Sequence, residues 1–337
     1  MKPPHFWWQH KQTCSARLLS PFGVLYGAIA GRRLRYVSAS VPIPVICVGN
    51  FTVGGSGKTP VVDSIRHLLA DHEHRPFVLS RGYGGRLKGP LRVNPTLHTA
   101  HDVGDEPMLL ACQHGNYNQV IISRDRVRGA ELALEHGASC IVMDDGLQNP
   151  SLYKNIVLNV VDAQVGFGNT LCIPAGPLRA PLKAQWPLID AVVLIGEGSS
   201  SAGIIADAEK HSKPVLRAKL IPDPLQATYL HTKNVVAFAG IGRPEKFFET
   251  LQHIGATLQS ARVFADHRPY EDAELKALQH QARTHHAQLV TTRKDFMRLS
   301  LHQKEFLKDD LYVLDVTLEW DNPEHIQKLL KTLMHQI

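Results

Sequence analysis

Paired cysteines are missing from this chain. Its five cysteines, Cys14, Cys47, Cys112, Cys140 and Cys172, are odd in number, widely spaced and without a C-x-x-C pair. That excludes a zinc-finger pattern and suits reduced, mostly buried thiols in the cytosol. None of the nineteen histidines falls in an H-E-x-x-H arrangement, so no metal-ligand spacing marks them. Low-complexity tracts are absent, and no repeat is visible beyond two α/β units. Acids are absent from residues 1 to 40, and the apolar run there is interrupted by Pro21, Gly23 and Gly27. It falls short of the roughly 20 apolar residues that a membrane-spanning helix needs.

What remains is ordinary globular material: 337 residues, 44% hydrophobic and 20% charged, enough for two domains with separate cores. The net charge of +6 is localised. Lys2, Lys11, Arg17, Arg32, Arg33 and Arg35 precede residue 41, leaving 31 basic against 31 acidic side chains in the rest. The same segment carries Phe6, Trp7, Trp8, Leu18, Leu19, Phe22, Leu25, Tyr26 and Ile29. Basic, aromatic and aliphatic residues together suit an anionic membrane surface better than nucleic acid. Ser20-Pro21 reads as an N-cap followed by proline in the first helical turn, with Leu18, Phe22, Leu25 and Ile29 on one face. One rival is a helix packed on the protein's own core. Another is a secretory signal ending near Ala28-Ile29-Ala30, which sits badly with the nucleotide chemistry that follows.

The stretch Val48-Gly49-Asn50-Phe51-Thr52-Val53-Gly54-Gly55-Ser56-Gly57-Lys58-Thr59-Pro60 lies between the apolar run Val41–Cys47 and the helical spacing of Val61–Leu69. A strand, a glycine loop and a helix in that order make a phosphate-binding P-loop, in which backbone N–H groups converge on phosphate oxygens. Lys58 reaches the outer phosphates and the Thr59 hydroxyl is placed for Mg²⁺. Thr52 stands where the strict pattern has glycine, so the loop is a variant. Thr52, Gly54, Gly55, Ser56, Gly57, Lys58 and Thr59 form the expected nucleotide cradle.

Downstream, apolar strands alternate with helices: 76–80, 119–123, 139–143, 156–161 and 191–195. Such alternation predicts a P-loop NTPase-like, mostly parallel sheet covered by helices, with ligands at the carboxyl ends of the strands. Composition shifts near 199–215, and a second series begins at Asn234. The predicted division is a membrane-associating helical segment (1–40), a P-loop unit (41–215) and linker strands (216–222 and 311–317). A smaller α/β domain (223–310) and a closing helix on the P-loop unit (318–337) complete it. Leu216–Ile221 reads as an isolated strand paired with Leu311–Val316, a two-stranded link between the domains.

Asp144 and Asp145 end a strongly apolar strand, where a P-loop enzyme places the carboxylate that holds Mg²⁺; turn chemistry alone is the plain alternative. Asp105 and Glu106 open an apolar helix. They are either dipole-stabilised acids or a base for an attacking hydroxyl with its support. His267 follows a strand of the second domain and, if it faces Asp105 across the cleft, would set that carboxylate's charge and position. Thr291–Asp295 ends another strand, with Lys294 either lining the cleft or solvated.

Val48 through Pro60, Ser80-Arg81-Gly82-Tyr83-Gly84, Gly104–Pro107, Asp144–Gln148, Pro174–Arg179 and Asp266-His267 stand in the order in which they occur in the tetraacyldisaccharide 4'-kinase family, which the chain resembles over nearly its whole length. The resemblance implies an ATP-dependent phosphotransferase acting on the 4'-hydroxyl of a tetraacylated glucosamine disaccharide 1-phosphate, giving lipid IVA in lipid A biosynthesis. It implies two α/β/α domains joined by a two-stranded linker, and a peripheral helix on the cytoplasmic face of the inner membrane. ATP and Mg²⁺ are the implied cofactors, the lipid and an anionic membrane surface the partners, and a monomer the expected state. By position, Lys58 would bind the β/γ phosphates, Thr59 with Asp145 would manage Mg²⁺, and Asp105 with His267 would act on the hydroxyl. Glu106, Asp144, Gln148 and Arg126 would support the site. Asn149, Ala180 and Arg293 depart from the family pattern. The rival functions are a membrane-attached NTPase switch that phosphorylates no lipid, and a scaffold that has lost catalysis.

Overall fold

The computed structural model describes residues 4–9, 13–36, 39–72, 74–113 and 119–334; Lys2, Lys11 and residues 335–337 of the predicted closing helix lie outside them. Among the described residues thirteen strands form two sheets: β1 (Val45–Gly49), β2 (Pro76–Ser80), β3 (Leu91–Arg92), β4 (Val120–Ile122), β5 (Cys140–Asp144), β6 (Ile156–Asp162), β7 (Ala191–Ile195), β8 (Val215–Pro222), β9 (Asn234–Ala239), β10 (Thr257–Val263), β11 (Gln288–Thr292), β12 (Leu311–Leu314) and β13 (Val316–Trp320). The larger sheet runs β13-β8-β7-β6-β1-β5-β2-β4-β3, and the smaller β10-β9-β11-β12.

Strands β1, β2, β5, β6 and β7 are buried along their whole length. Parallel strands covered on both faces need such uninterrupted apolar runs. Among the described strands only the edge pairs β3–β4 and β8–β13 are antiparallel. One face packs against α2 (Lys58–Ala70) through Val61, Val62, Ile65 and Leu69, and against Ile326 and Leu330 of the C-terminal helix Pro323–Met334. The other face is covered through Phe51, Ala130, Ala133, Trp186 and Ile204. The smaller sheet is likewise sandwiched, between Phe247, Phe248 and Leu251 on one side and Leu275, Leu278 and Ala282 on the other.

Two expectations at the junction of the sheets are corrected. Residues 311–314 pair with β11 in the smaller sheet, and the antiparallel partner of 216–222 is Val316–Trp320 instead. Asp315 divides the two strands. Its carboxylate is held by Arg293 and Gln226, and its amide donates to Gln226 Oε1. Nor is the 216–221 segment isolated, since β8 also runs parallel to β7.

Helix α1 (Cys14–Arg33) differs from the prediction at its start. Thr13, rather than Ser20, caps it by accepting from the Ala16 amide at 3.3 Å, and Pro21 lies inside. The face it buries is made of Ala16, Gly23, Gly27 and Gly31. A Cβ on Gly23 would lie 2.8 Å from the Cys172 carbonyl oxygen, and one on Gly27 would lie 3.2 Å from Pro181 Cγ. The helix docks through its glycines, and Leu18 (78%), Phe22 (62%), Leu25 (63%) and Ile29 (63%) are left exposed. The predicted apolar stripe therefore does not enter the protein's own core. No helix among the described residues is long and apolar enough to cross a membrane.

Candidate active site

Register brings the first acid to the loop. Strand β1 lies between β5 and β6, and Val48 pairs with Asp144 while Gly49 pairs with Asn159. The chain after β1 therefore leaves the sheet at a point flanked by the carboxyl ends of both neighbours, where ligands bind in open α/β sheets. Gly54 (φ 106°) and Gly57 (φ 89°) turn the loop through backbone conformations closed to most side chains. Helix α2 then begins at Lys58, so its first-turn N–H groups remain unpaired within the helix and available to an anion.

Thr52 needs no glycine, because it forms a bridge with Leu178 and its carbonyl accepts from Arg179 Nε at 3.0 Å. Arg179 also donates through Nη1 to Asp145 Oδ1 at 2.9 Å and to Gln148 Oε1 at 3.3 Å. Gln148 donates to the Asn50 carbonyl and to Gln185, each at 2.8 Å. Gln148 thus braces the loop from beneath. Arg179 is a brace that the sequence reading did not include among the site residues.

Asp144 and Asp145 have different surroundings. Asp144 is buried; Oδ2 accepts from Ser80 Oγ at 3.3 Å, while Oδ1 has no hydrogen-bond partner. Burial, then the nearby Glu106 and Asp145 charges, push its carboxyl upward against Lys58 and Arg126. Burial also acts on Asp145, but Lys58, 3.8 Å away, and Arg179 hold that carboxyl low. Arg126 is buried at the start of the helix Arg126–Glu135 and donates to the Ser123 carbonyl.

A second cluster faces this one. Gly104 (φ 96°) turns the chain so tightly that a Cβ would meet the Tyr83 carbonyl at 2.5 Å, and Asp105 then opens the helix Asp105–Cys112. His267 Nδ1 lies 3.1 Å from Asp105 Oδ1 and 3.0 Å from Oδ2. Lys294 stands 3.8 Å and Arg298 3.6 Å from the same carboxylate. Burial favours the neutral acid, but the His267 hydrogen bond and the Lys294, His267 and Arg298 charges bring Asp105 down to about 2. Lys294 is no solvated charge: it donates to Glu106 Oε1 at 3.1 Å and lies 3.8 Å from Asp266. Lys294 and Arg298 sit four residues apart on one helix (Arg293–Arg298), a spacing that could have flagged both.

The site residues named from sequence border one cleft of about 2490 Å³, which extends from Gly54–Thr59, Asp144 and Asp145 past Glu106 and His267 to Leu19, Tyr26 and Ile29 of α1. Asp105 lies just behind its wall, against His267. Among the described residues no three His, Cys, Asp or Glu side chains converge as a metal cluster, and Glu106 is turned to Lys294. Mg²⁺ keeps most of its waters and takes only one or two carboxylates beside phosphate. The unpartnered Asp144 oxygen, which borders the same cleft as Thr59, fits that requirement, whereas Asp145 is engaged by two cations.

A family model for tetraacyldisaccharide-1-P 4'-kinase (LpxK) matches residues 15–335. The tetraacyldisaccharide 4'-kinase of Methylobacterium nodulans is 50% identical over 324 residues, covering 96% of this chain and 93% of that protein. The one from Bradyrhizobium diazoefficiens is 44% identical over 336 residues, covering 100% and 97%. The crystal structure of LpxK from Aquifex aeolicus in complex with ATP superposes with a TM-score of 0.71 at 26% identity, over 94% of this chain and 99% of that one. With a family model spanning almost every residue, relatives near half-identical and a shared fold, the chain belongs to the tetraacyldisaccharide 4'-kinase family.

Proposed function

We propose that this chain transfers the γ-phosphate of ATP to the 4'-hydroxyl of a tetraacylated glucosamine disaccharide 1-phosphate, yielding lipid IVA. The observation that carries the reading is the Asp105–His267 pair, set across one cleft from Lys58 and Asp144, with that cleft running to the foot of an exposed apolar helix. Phosphoryl transfer asks chiefly for positioning and charge stabilisation. Lys58 and the loop amides hold the outer phosphates. Thr59 and Asp144 would hold Mg²⁺, which supplies further positive charge to the phosphates, and Arg179 keeps Asp145 in place. Asp105, ionised at neutral pH, accepts the proton of the sugar hydroxyl as that oxygen attacks phosphorus and the ADP oxygen leaves. His267 orients the base. The smaller α/β unit, carrying His267 and Lys294, acts as the lid of the P-loop unit.

A lipid with four acyl chains stays in the bilayer, so the enzyme must come to the surface. The Leu18, Phe22, Leu25 and Ile29 stripe, with Arg17, Arg32, Arg33 and Arg35 on the same segment, supports peripheral attachment to the anionic cytoplasmic face of the inner membrane. The test is a radiolabelled ATP assay with the purified disaccharide 1-phosphate. Label on the distal sugar is expected. Free phosphate released at the same rate with and without lipid, and no labelled sugar, would instead identify an NTPase switch.

A further inference from the structure

The mechanism above leaves one ion cluster unused. Asp162 ends β6 and is buried; its Oδ1 accepts from the Gln164 amide at 2.9 Å. Its Oδ2 lies 2.6 Å from Lys246 Nζ and 2.7 Å from Arg243 Nη1, both from the smaller unit. Asp162 also pairs across the sheet with Ile195, the residue against which a Cβ on Gly57 would rest at 3.6 Å. The loop that carries Arg243 lies on the P-loop itself: a Cβ added to Gly242 would stand 3.0 Å from the Gly55 nitrogen. Two cations from the second unit are thus delivered to the rim of the nucleotide cradle, and both line the cleft.

One carboxylate cannot neutralise two cations. The surrounding acids do not restore the balance: Asp266, near Gly242, answers Lys294. Glu245 and Glu249 line the cleft but form no ion pair with Arg243 or Lys246 among the described residues. Arg243 Nη1 is buried and, although close to Asp162, lacks a well-directed hydrogen bond. Its planar fork is held by charge and has donors to spare, the donor set that matches phosphate oxygens. Asp162 is itself held below the ordinary carboxylate range, burial being outweighed by Lys246 and Arg243.

We propose that Arg243 and Lys246 form a second phosphate-binding element, reaching from the smaller unit to the polyphosphate tail of the bound nucleoside triphosphate, with Asp162 as the parking site for their charge when that tail is absent. This rests on the nucleotide reading of the P-loop, and the experiment separates the two. Calorimetric titration of the full chain with Mg-ATP first asks whether the unaltered protein binds at all; if it does not, the P-loop reading fails. If it does, Arg243→Gln and Lys246→Gln should each raise the Kd about tenfold, the scale of one charge-assisted hydrogen bond (~1.4 kcal/mol).

Asp162→Asn distinguishes a ligand from a mere latch between the units, because asparagine keeps an acceptor for the Gln164 amide and replaces the oxygen that holds both cations with an uncharged NH₂ donor. A phosphate-binding pair then binds ATP as tightly as before or more tightly. A latch loses affinity in all three variants alike. Circular dichroism confirms folding, and the two half-buried cation variants carry the test against the twofold limit below if the buried Asp162→Asn does not fold. Kd values within twofold of the unaltered protein for both Arg243→Gln and Lys246→Gln, or loosening in Asp162→Asn equal to theirs, overturns the proposal.

Discussion

The docking of α1 through glycines makes a graded prediction, because alanine gains helix propensity at every position but meets different neighbours at each. Replacing an interior helical glycine by alanine stabilises a helix by up to about 1 kcal/mol. At Gly31 the new Cβ finds Ala184 Cβ at 3.5 Å, an ordinary contact, so Gly31→Ala should keep most of that gain. At Gly27 it meets Cys172 Sγ at 3.0 Å and Pro181 Cγ at 3.2 Å; the thiol can turn aside, and the effects nearly cancel. At Gly23 it meets the Cys172 carbonyl oxygen at 2.8 Å. That oxygen cannot give way, because it accepts from the Ala175 and Gly176 amides at 2.9 and 3.1 Å. Overpacking of this kind costs about 1 to 3 kcal/mol, leaving a net loss of about 1 kcal/mol. Hydrogen exchange of residues 14–33 reads local opening directly. Protection should rise about fivefold in Gly31→Ala and fall about fivefold in Gly23→Ala, with Gly27→Ala between them. Equal gains at all three positions would refute the docked geometry and leave helix propensity as the only operating effect.

The other predictions concern chemistry and the membrane. Asp105→Asn keeps the shape of the buried side chain and removes its basicity, so kcat should fall between about 10² and 10⁴-fold while the Kd for Mg-ATP stays constant; steady-state kinetics with turnover within tenfold of normal would remove Asp105 from the role of base. Phe22→Ser with Leu25→Ser touches two side chains more than 60% exposed, so the melting temperature should hold. Vesicle co-sedimentation with anionic lipid should weaken at least tenfold, because each large apolar side chain contributes about 1.5 to 3 kcal/mol when buried. Unchanged sedimentation would place the contact elsewhere.

How much could be read in advance depended on whether the deciding interaction was local. The strands of the larger sheet announced themselves because parallel strands buried on both faces must be apolar throughout, and Ala191–Ile195 is such a run from end to end. The P-loop was legible for a related reason: its glycines, lysine and hydroxyl are consecutive, and the fold merely presents them. Leu311–Trp320 is not resolved by local pattern, because one polar residue, Asp315, separates two short strands, and only distant partners decide which strand joins which sheet. Helix α1 is capped at Thr13 and runs on through Ser20-Pro21, the only local start signal read from the sequence; its glycine face from Gly23 to Gly31 docks on distant partners at Cys172, Pro181 and Ala184, which no local pattern shows. Lys294 lies 188 residues from Glu106 and Lys246 lies 84 residues from Asp162; Arg298 and Arg243 are similarly remote from Asp105 and Asp162, so no local pattern points each at its partner.

Arg179 ties the variant loop to the acid just after β5. Ala180, next to it in the chain, brings no charge, and the guanidinium is committed to the loop and to Asp145. Three of its bonds leave from two nitrogens in a fixed fork: Nε to the Thr52 carbonyl, Nη1 to Asp145 and to Gln148. A lysine ammonium has the same charge but a single donor centre, so it cannot hold the loop carbonyl and the carboxylate together. Arg179→Lys should therefore be almost as damaging as Arg179→Ala, with kcat/KM down about 10 to 100-fold in both, the loss that follows when a supporting partner of a metal or phosphate site is removed. If the arginine acted only as a positive charge beside Asp145, lysine would restore most of the activity. Recovery in Arg179→Lys to within threefold of the unaltered protein would show that the fork geometry does not matter, and that the variant P-loop holds its shape at Thr52 without it.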